Sequence, residues 1–203
     1  MSPTTAAPRS SELMSRHDSA LLVIDVQTKL LAAMSPPPTL VWNIGRLIDG
    51  ARILGVAVEA TEQYPKGLGA TTGALAQRLG DIPSKLMFSC RVLSQLFTGW
   101  RDRGIHKILV TGIEAHVCVQ QTVLDLMAAG FQVYVAVDAV ESRYAIDRDT
   151  ALRRMELSGA ILTTTEAALF EWLEVAGTPE FKQVSALVRQ LPPAGDLPHG
   201  QVR

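Results

Sequence analysis

Three side chains in this 203-residue sequence have the chemical types needed for nucleophilic catalysis: Asp25 in LLVIDV, Lys85 in PSKLMF and Cys118 in TGIEAHVCVQQT. Cys118 comes a few residues after the apolar run KILV, where the first turn of a helix is predicted. Unpaired backbone N–H groups and the helix dipole at such a turn lower the pKa of a thiol. The same N–H groups can hold the oxyanion that forms when a carbonyl is attacked. A neighbouring carboxylate could take the thiol proton and later pass it to a leaving amine.

Each of these residues also has a structural interpretation. Asp25 could tie a strand end to a neighbouring loop, Lys85 could be a solvated surface residue, and free cysteines are commonly inert apolar residues. A buried Asp25 would need a cation or hydrogen-bond donors, and Lys85 is a suitable partner. For Cys90, in MFSC, packing in the core is the favoured interpretation. The chemistry therefore depends on the fold bringing the three residues together.

Strand-like and helix-like segments alternate from about residue 19 to residue 173. This pattern predicts an α/β fold, a three-layer αβα arrangement with a doubly wound, mostly parallel, six-stranded, Rossmann-like sheet. Such sheets bind ligands beyond the carboxyl ends of their strands. Thr39 is predicted to cap a helix that runs to Gly55, and QYPKGLGATTG is predicted to be an irregular loop. The predicted strands are ALLVIDV, VAVEAT, KLMF, HKILVTGI, QVYVAVDAV and AILTT.

Composition restricts the class of protein. Apolar residues make up 47% of the chain, charged residues 19%, and the net charge is −1. With no basic stripe and no apolar run of membrane length, neither nucleic acid nor a membrane is expected as a partner. Residues 1–17 lack the apolar segment of a secretory signal and are predicted to be a flexible leader, followed by one domain over 18–190 and a tail over 191–203. Two cysteines form no disulfide framework, so a cytoplasmic protein with free thiols is expected.

The three motifs, taken in order, resemble the isochorismatase-like cysteine hydrolases over about residues 18–190. TEQYPKGLG at 61–69 and GIEAHVCVQQT at 112–122 are similar to the isochorismatase-domain-containing subgroup. The resemblance implies the isochorismatase-like hydrolase fold and a catalytic triad. In that triad Asp25 is the general base and acid, Lys85 is the cation that orders it and favours the thiolate, and Cys118 is the nucleophile. The resemblance also implies a cis peptide at Ile113–Glu114 and an oxyanion hole formed by the backbone N–H groups of Glu114 and Cys118.

Two departures from the wider superfamily narrow the expected function. Nicotinamidases carry an Asp/His metal cluster after the second strand, but this chain has Gln63 where an Asp would be expected, and none of its four histidines lies in that loop. No metal and no cofactor are therefore expected. Enzymes that cleave the vinyl ether of isochorismate typically have Gly at the nucleophile position. Because Cys118 is retained, acyl transfer is favoured over isochorismate hydrolysis.

The expected function is that of a metal-independent cysteine hydrolase that cleaves the C–N bond of a small-molecule amide through a Cys118 thioester. The alternative is a non-catalytic or redox-responsive protein that keeps the fold. Further candidate substrate-binding residues are Gln27, Tyr64, Phe88, His116 and Arg143. His116 is read as a pocket-wall or interface residue rather than the base, because residues two apart do not share a helix face.

A homo-oligomer, a dimer or larger, is also expected. The predicted helix near 180–190 could offer an apolar stripe to a partner, or it could fold the stripe back on its own core. The stripe consists of Phe181, Val184, Leu187 and Val188.

Overall fold

The computed structural model describes residues 7–34 and 39–193, and a six-stranded parallel sheet forms the centre of this part of the chain. The order of the strands is β3-β2-β1-β4-β5-β6. The chain therefore begins in the middle of the sheet, builds one half outwards and then returns to build the other half. The predicted doubly wound α/β fold is confirmed. The strands are β1 (Ser19–Ile24), β2 (Ala57–Gln63), β3 (Ser84–Lys85), β4 (Lys107–Ile113), β5 (Gln132–Glu141) and β6 (Ile161–Thr163).

Helices cover both faces of the sheet, as a parallel sheet with apolar strands requires. A 3₁₀ turn over Cys90–Val92 precedes α5, and a π-helical turn over Ala115–Val119 leads into α6. The helices are α1 (Thr28–Ala32), α2 (Thr39–Leu54), α3 (Pro65–Leu68), α4 (Gly73–Ala76), α5 (Ser94–Asp102), α6 (Gln120–Ala128), α7 (Ala145–Leu157), α8 (Thr165–Leu173) and α9 (Pro179–Val188).

Side chains of β1 alternate between two apolar cores, as the period of a strand dictates. Leu21 and Val23 point into a core that α2, α8 and α9 close. Leu22 and Ile24 point into a second core, on the opposite face, that α5, α6 and α7 close. All four side chains are at most 1% exposed. This two-sided burial is why LLVIDV is continuously apolar, and it fixes the carboxyl end of β1 firmly in the centre of the molecule.

The third strand is shorter than predicted. KLMF was expected to be a strand, but β3 pairs with β2 only through Ser84 and Lys85. The Lys85 ammonium group donates a hydrogen bond to the Phe88 carbonyl oxygen at 2.9 Å, so the chain turns back directly after the strand. Leu86, Met87 and Phe88 are consequently exposed rather than buried in the sheet.

The segment QYPKGLGATTG is not wholly irregular, because it contains the four-residue helices α3 and α4. Pro65 occupies the first turn of α3, where its missing N–H group costs no hydrogen bond. Gly69, at φ 78°, then ends this helix. Thr39 is the first assigned residue of α2, and the residues before it, 35–38, lie outside the described part of the chain.

Part of the predicted flexible leader packs against α8. Arg9 donates hydrogen bonds to the backbone oxygens of Met14 and Glu171 at 2.7 and 2.8 Å. The Met14 N–H donates to Glu171 Oε2 at 2.8 Å, and the Met14 side chain is fully buried in the core. Packing thus begins before residue 18. Most of the predicted tail, residues 194–203, lies outside the described residues.

The apolar stripe of α9 faces the protein's own core. Val184 is 0% exposed and Leu187 7%, and Phe181 and Val188 pack against the same core. This resolves the two options for the stripe in favour of the core, so the stripe gives no support to an oligomer. Within 7–34 and 39–193, no helix has the length and apolar character that crossing a membrane requires.

Gly112 allows β1 and β4 to approach each other closely. Its φ is 121°, and a Cβ atom there would overlap the Ile24 backbone oxygen and lie 2.7 Å from the Ile24 nitrogen. We expect Gly112→Ala to lower the free energy of unfolding by about 3 kcal/mol or more, since neither backbone can move without disturbing the sheet. Urea denaturation followed by circular dichroism measures this change.

Gly99→Ala is the matched control. Gly99 lies within α5, and a Cβ atom added there meets no atom within 4 Å. The same substitution should therefore leave stability unchanged or raise it by up to ~1 kcal/mol. Equal effects of the two substitutions would contradict the role assigned to the close approach at Gly112.

Candidate active site

The predicted site residues gather at the carboxyl ends of the central strands. Asp25 directly follows β1, Lys85 ends β3, and Cys118 lies in the turn after β4. β1 pairs with both β2 and β4, so the order of the strands reverses beside it. Ligands of doubly wound sheets bind at such a reversal. The fold therefore brings three residues that are distant in the sequence to the same edge of the sheet.

Asp25 is held in a fixed orientation. Its backbone has a φ of 54°, in the left-handed region, which Asp tolerates better than most residues. The Asp25 N–H donates to the Thr61 carbonyl oxygen at 3.1 Å, which continues the pairing with β2 for one residue. The Thr61 hydroxyl donates to Asp25 Oδ1 at 2.8 Å. The carboxylate is completely buried, so it requires a positive partner.

Lys85 is that partner. Its Nζ atom lies 2.6 Å from Asp25 Oδ2, and both side chains are 0% exposed. The ammonium group also donates to Gln63 Oε1 and to the Phe88 carbonyl oxygen, each at 2.9 Å. All three N–H groups of the ammonium thus have acceptors, which is the condition under which a buried charge is tolerated.

Cys118 lies beside this ion pair, and its thiol differs from the expectation. Burial raises the pKa of the Cys118 thiol well above its usual range. The negative charge of Asp25 raises this pKa further, and the positive charge of Lys85 lowers it. The predicted low thiol pKa is therefore wrong: the turn buries the sulfur, and Asp25 outweighs Lys85. At rest the Cys118 side chain is therefore a protonated thiol, and any reaction as a nucleophile would require the loss of its proton.

The turn after β4 also offers a free backbone donor. The Ile113–Glu114 peptide bond is cis. In the described part of the chain, no acceptor lies within hydrogen-bond distance of the Glu114 N–H. The Glu114 carbonyl oxygen, in contrast, accepts from Val117 and Val119. A buried N–H group without an acceptor in the protein can bind the oxygen of a ligand.

Gln27 and Gln63 form a rigid pair beneath the site. The Gln27 side chain accepts from the Gln63 N–H at 2.7 Å and donates to the Gln63 carbonyl oxygen at 3.0 Å and the Gly69 carbonyl oxygen at 2.5 Å. Gln27 is 0% exposed, and both of its amide protons are used. It positions the end of β2 and has no free donor for a substrate.

The position expected to carry a metal ligand in nicotinamidases is occupied by Gln63. Its Oε1 atom accepts from Lys85, and its Nε2 atom donates to the Leu86 carbonyl oxygen at 2.8 Å. A metal ion bound at Gln63 would lie beside the positively charged Lys85 ammonium group instead of an acidic ligand. Over residues 7–34 and 39–193, no three His, Cys, Asp or Glu side chains are grouped so that they could hold a metal ion.

A cavity of about 100 Å³ lies against the Cys118 side chain. By comparison with the ~150 Å³ cavity that holds the six carbon atoms of benzene, it would admit about four heavy atoms. Its lining is mostly apolar, with Phe88 as the one predicted substrate-binding residue that reaches it. The lining residues are Leu30, Gln63, Leu68, Phe88, Glu114, Val117 and Cys118.

Two other candidate residues lie elsewhere. Tyr64 is 49% exposed and does not belong to this lining. His116 points towards the start of α7, where Nδ1 lies 3.0 Å from the Ser142 hydroxyl oxygen and Nε2 lies 3.9 Å from Asp147. It is therefore not placed as a base for Cys118. Arg143 reaches the site only through Glu114, to which its Nε atom donates at 3.1 Å.

Sequence reasoning missed three supporting residues. Thr61 holds Asp25, Gln63 holds Lys85, and the Thr122 hydroxyl donates to the Cys118 carbonyl oxygen at 2.7 Å while accepting from the Cys90 N–H at 3.0 Å. Thr61 and Gln63 are two residues apart at the end of β2. Polar side chains in this arrangement could have indicated residues that support the site. Cys90 is fully buried in the core, as expected.

Comparison with known proteins agrees with this architecture. The family model for the isochorismatase domain matches residues 19–167. The secreted isochorismatase effector Isc1 of Phytophthora sojae is 37% identical over 182 residues, covering 86% of each chain. Human isochorismatase domain-containing protein 2 is 37% identical over 179 residues, covering 88% of this chain and 87% of that protein.

Among solved structures, the MAR1 ribonuclease from Caenorhabditis elegans is similar, with a TM-score of 0.82 and 39% sequence identity. The similarity covers 94% of this chain and all of that one. The common fold therefore extends over nearly the entire described region, including the turn that carries Cys118.

Asp25 and Lys85 carry opposite charges beside the Cys118 thiol, so replacing each by a neutral residue should change the rate of thiol alkylation in opposite directions. Asp25→Asn removes the charge that raises the pKa of the Cys118 thiol, so alkylation by iodoacetamide at pH 7 should become faster, by roughly tenfold for each unit of pKa lowered. Lys85→Met removes the charge that lowers this pKa, so alkylation should become slower. Mass spectrometry of the peptide containing Cys118 gives both rates.

Asp49→Asn is the control, since it removes a carboxylate that pairs with Arg78 on the surface of α2. It should leave the rate unchanged. Circular dichroism must show that both site variants are folded. A slower rate in Asp25→Asn would contradict the assignment of Asp25 as the group that keeps the thiol protonated.

Proposed function

The chain belongs to the isochorismatase family of hydrolases, and we propose that it is a metal-independent cysteine hydrolase that cleaves the C–N bond of a small amide through a Cys118 thioester. The observation that carries this proposal is the position of the Cys118 thiol: it lines the cavity together with Gln63, Gln63 holds Lys85, and Lys85 fixes the Asp25 carboxylate. A thiol with a raised pKa needs a base within reach, and Asp25 supplies it. The adjoining cavity supplies room for a small substrate.

The proposed reaction has two halves. Asp25 takes the thiol proton as the Cys118 sulfur bonds to the carbonyl carbon, and the oxyanion is held by the Glu114 and Cys118 N–H groups. The C–N bond then breaks, and Asp25 returns the proton to the departing amine. Water next attacks the thioester with Asp25 again as base, which releases the carboxylic acid and restores the thiol. Lys85 keeps its three hydrogen bonds throughout and positions Asp25.

The size of the cavity supports a small substrate over a polymer. About 100 Å³ with largely apolar walls suits a short acyl group, not a nucleotide. Ribonuclease activity, named for the C. elegans relative, would need contacts to phosphate that these walls do not offer. Isochorismate, named for the P. sojae relative, would need protonation of a vinyl ether, for which a thiol nucleophile has no use.

We expect Cys118→Ala to reduce amide hydrolysis by at least ~10³-fold, because the nucleophile and its covalent intermediate are lost. The assay is ammonia release from a panel of small primary amides, with isochorismate and a single-stranded RNA as further substrates. Quenching wild-type turnover with acid should trap an acyl adduct on the Cys118 peptide, detectable by mass spectrometry. Prior dialysis against a chelator should leave the rate unchanged.

Cys90→Ala is the matched control, because it removes a buried thiol that lies outside the cavity lining. It should retain turnover. Undiminished activity in Cys118→Ala, or cleavage of isochorismate or RNA in place of every amide, would falsify the proposal.

A redox-responsive protein is the second candidate, and one observation favours it. Thr122 bridges the backbones at Cys90 and Cys118, so the two thiols lie on neighbouring segments. Their exposures of 0% and 4% speak against it, since redox-sensing thiols are accessible and ionised. A Cys90–Cys118 disulfide or a stable sulfenate after peroxide treatment, together with inactivity on every amide, would favour this role.

We also propose that the protein forms a homo-oligomer, a dimer or larger. Three consecutive apolar side chains beside the cavity support this: Leu86, Met87 and Phe88 are 76%, 41% and 51% exposed. Exposed apolar patches of this kind mark interaction surfaces. Light scattering should give at least twice the 21.9 kDa mass of the chain, and a strictly monomeric mass would contradict the proposal. The cytoplasmic location stays a prediction, because one relative is named as secreted.

A further inference from the structure

The cavity beside Cys118 contains one anionic group that the proposed reaction does not use. Apolar side chains dominate its walls, and Gln63 is tied to Lys85 and Leu86. The exception is Glu114, the acidic residue of this lining. Only the backbone N–H of Glu114 takes part in the proposed oxyanion hole, so its carboxylate requires an explanation of its own.

One of the two oxygens of the Glu114 carboxylate accepts hydrogen bonds from the protein. The Glu114 side chain is 8% exposed. Oε2 accepts two hydrogen bonds from Arg143, one from the backbone N–H at 2.9 Å and one from Nε at 3.1 Å. Among residues 7–34 and 39–193, none donates a hydrogen bond to Oε1. Oε1 is therefore free to accept a hydrogen bond from a ligand in the cavity.

We propose that Glu114 Oε1 binds an N–H group on the acyl portion of the substrate. The inference rests on the proposed function, in which Cys118 takes the carbonyl carbon and Asp25 faces the departing amine. The acyl substituent is then the part that lies along the cavity wall where Glu114 stands. The substrate class is a small amide, neutral or cationic, with a donor close to its carbonyl group. Amides that carry a carboxylate on the acyl side are rejected by charge repulsion.

Recognition of the substrate by Arg143 is the alternative to recognition by Glu114. The Arg143 side chain is 50% exposed, and it contacts Glu114 without lining the cavity. The two bonds it donates to Oε2 hold the Glu114 side chain so that Oε1 is left for the cavity. If the Arg143 guanidinium group bound the substrate instead, the site would prefer anionic substrates. The sign of the charge selection therefore decides which residue recognises the substrate.

Alkylation of Cys118 measures this selection without requiring turnover. Iodoacetamide is neutral and iodoacetate is its anionic counterpart of similar size; with each, the thiol loses its proton to the solvent, the sulfur–carbon bond forms and iodide leaves. The measured quantity is the rate ratio of iodoacetamide to iodoacetate at Cys118, divided by the same ratio for 2-mercaptoethanol. We expect at least a tenfold value for the wild-type protein. A value of one or below overturns the inference.

Two variants locate the source of the selection. Glu114→Gln keeps the acceptor for Arg143 but removes the charge, so the ratio should fall towards one. Arg143→Gln removes the cation that partly neutralises Glu114, so the ratio should rise. Glu156→Gln, on the exposed face of α7, is the matched control and should leave the wild-type ratio intact. Unchanged ratios in both site variants would also overturn the inference.

Amide hydrolysis tests the proposed reaction separately from the recognition of substrate by Glu114. Glycinamide should be hydrolysed with a higher kcat/KM than propionamide, and malonamate with a lower one. If no amide is hydrolysed but the alkylation ratio is at least ten and depends on Glu114, the proposed reaction fails and the recognition by Glu114 stands. If amides are hydrolysed but the ratio is one or below, the reaction stands and the recognition fails.

Discussion

The buried ion pair between Lys85 and Asp25 is the interaction on which the site depends. At 0% exposure for both side chains, water cannot compensate either charge, so the protein must satisfy every donor and acceptor itself. It does so: Lys85 donates to three oxygens, and each oxygen of the Asp25 carboxylate accepts a hydrogen bond. Losing one partner of such a pair typically costs ~3–5 kcal/mol. The geometry of the Asp25 carboxylate is therefore fixed by the fold.

This rigid charge distribution explains why a protonated thiol is compatible with catalysis. Asp25 raises the pKa of the Cys118 thiol and is also the group that can accept its proton. A thiolate formed in this way replaces one negative charge beside Lys85 by another, so the net charge of the buried cluster does not change. The energetic penalty for ionising a buried sulfur is thus reduced at the moment of attack. A thiol that stays protonated at rest is also protected from oxidation.

The sequence predicted the architecture well because the architecture depends on periodicity. LLVIDV could only be a strand covered on both faces, and the two cores around Leu21 and Leu22 bear this out. Two of the sequence-derived expectations that failed depend on three-dimensional contacts. KLMF has the composition of a strand, but the bond from Lys85 to Phe88 ends β3 after two residues. The low thiol pKa was predicted from the helix terminus and from Lys85, whereas burial and Asp25 determine the direction of the shift.

Gln27 shows most clearly why the supporting residues of the site could not be read from the sequence. An amide near a predicted active site suggests substrate binding, yet this one binds both main-chain groups of Gln63. Gln63 in turn binds Lys85, and Lys85 binds Asp25, which lies only two residues before Gln27. The hydrogen bonds therefore close a ring that ties the ends of β1, β2 and β3 together. The same ring therefore holds the Asp25 carboxylate and the Lys85 ammonium in fixed positions relative to each other.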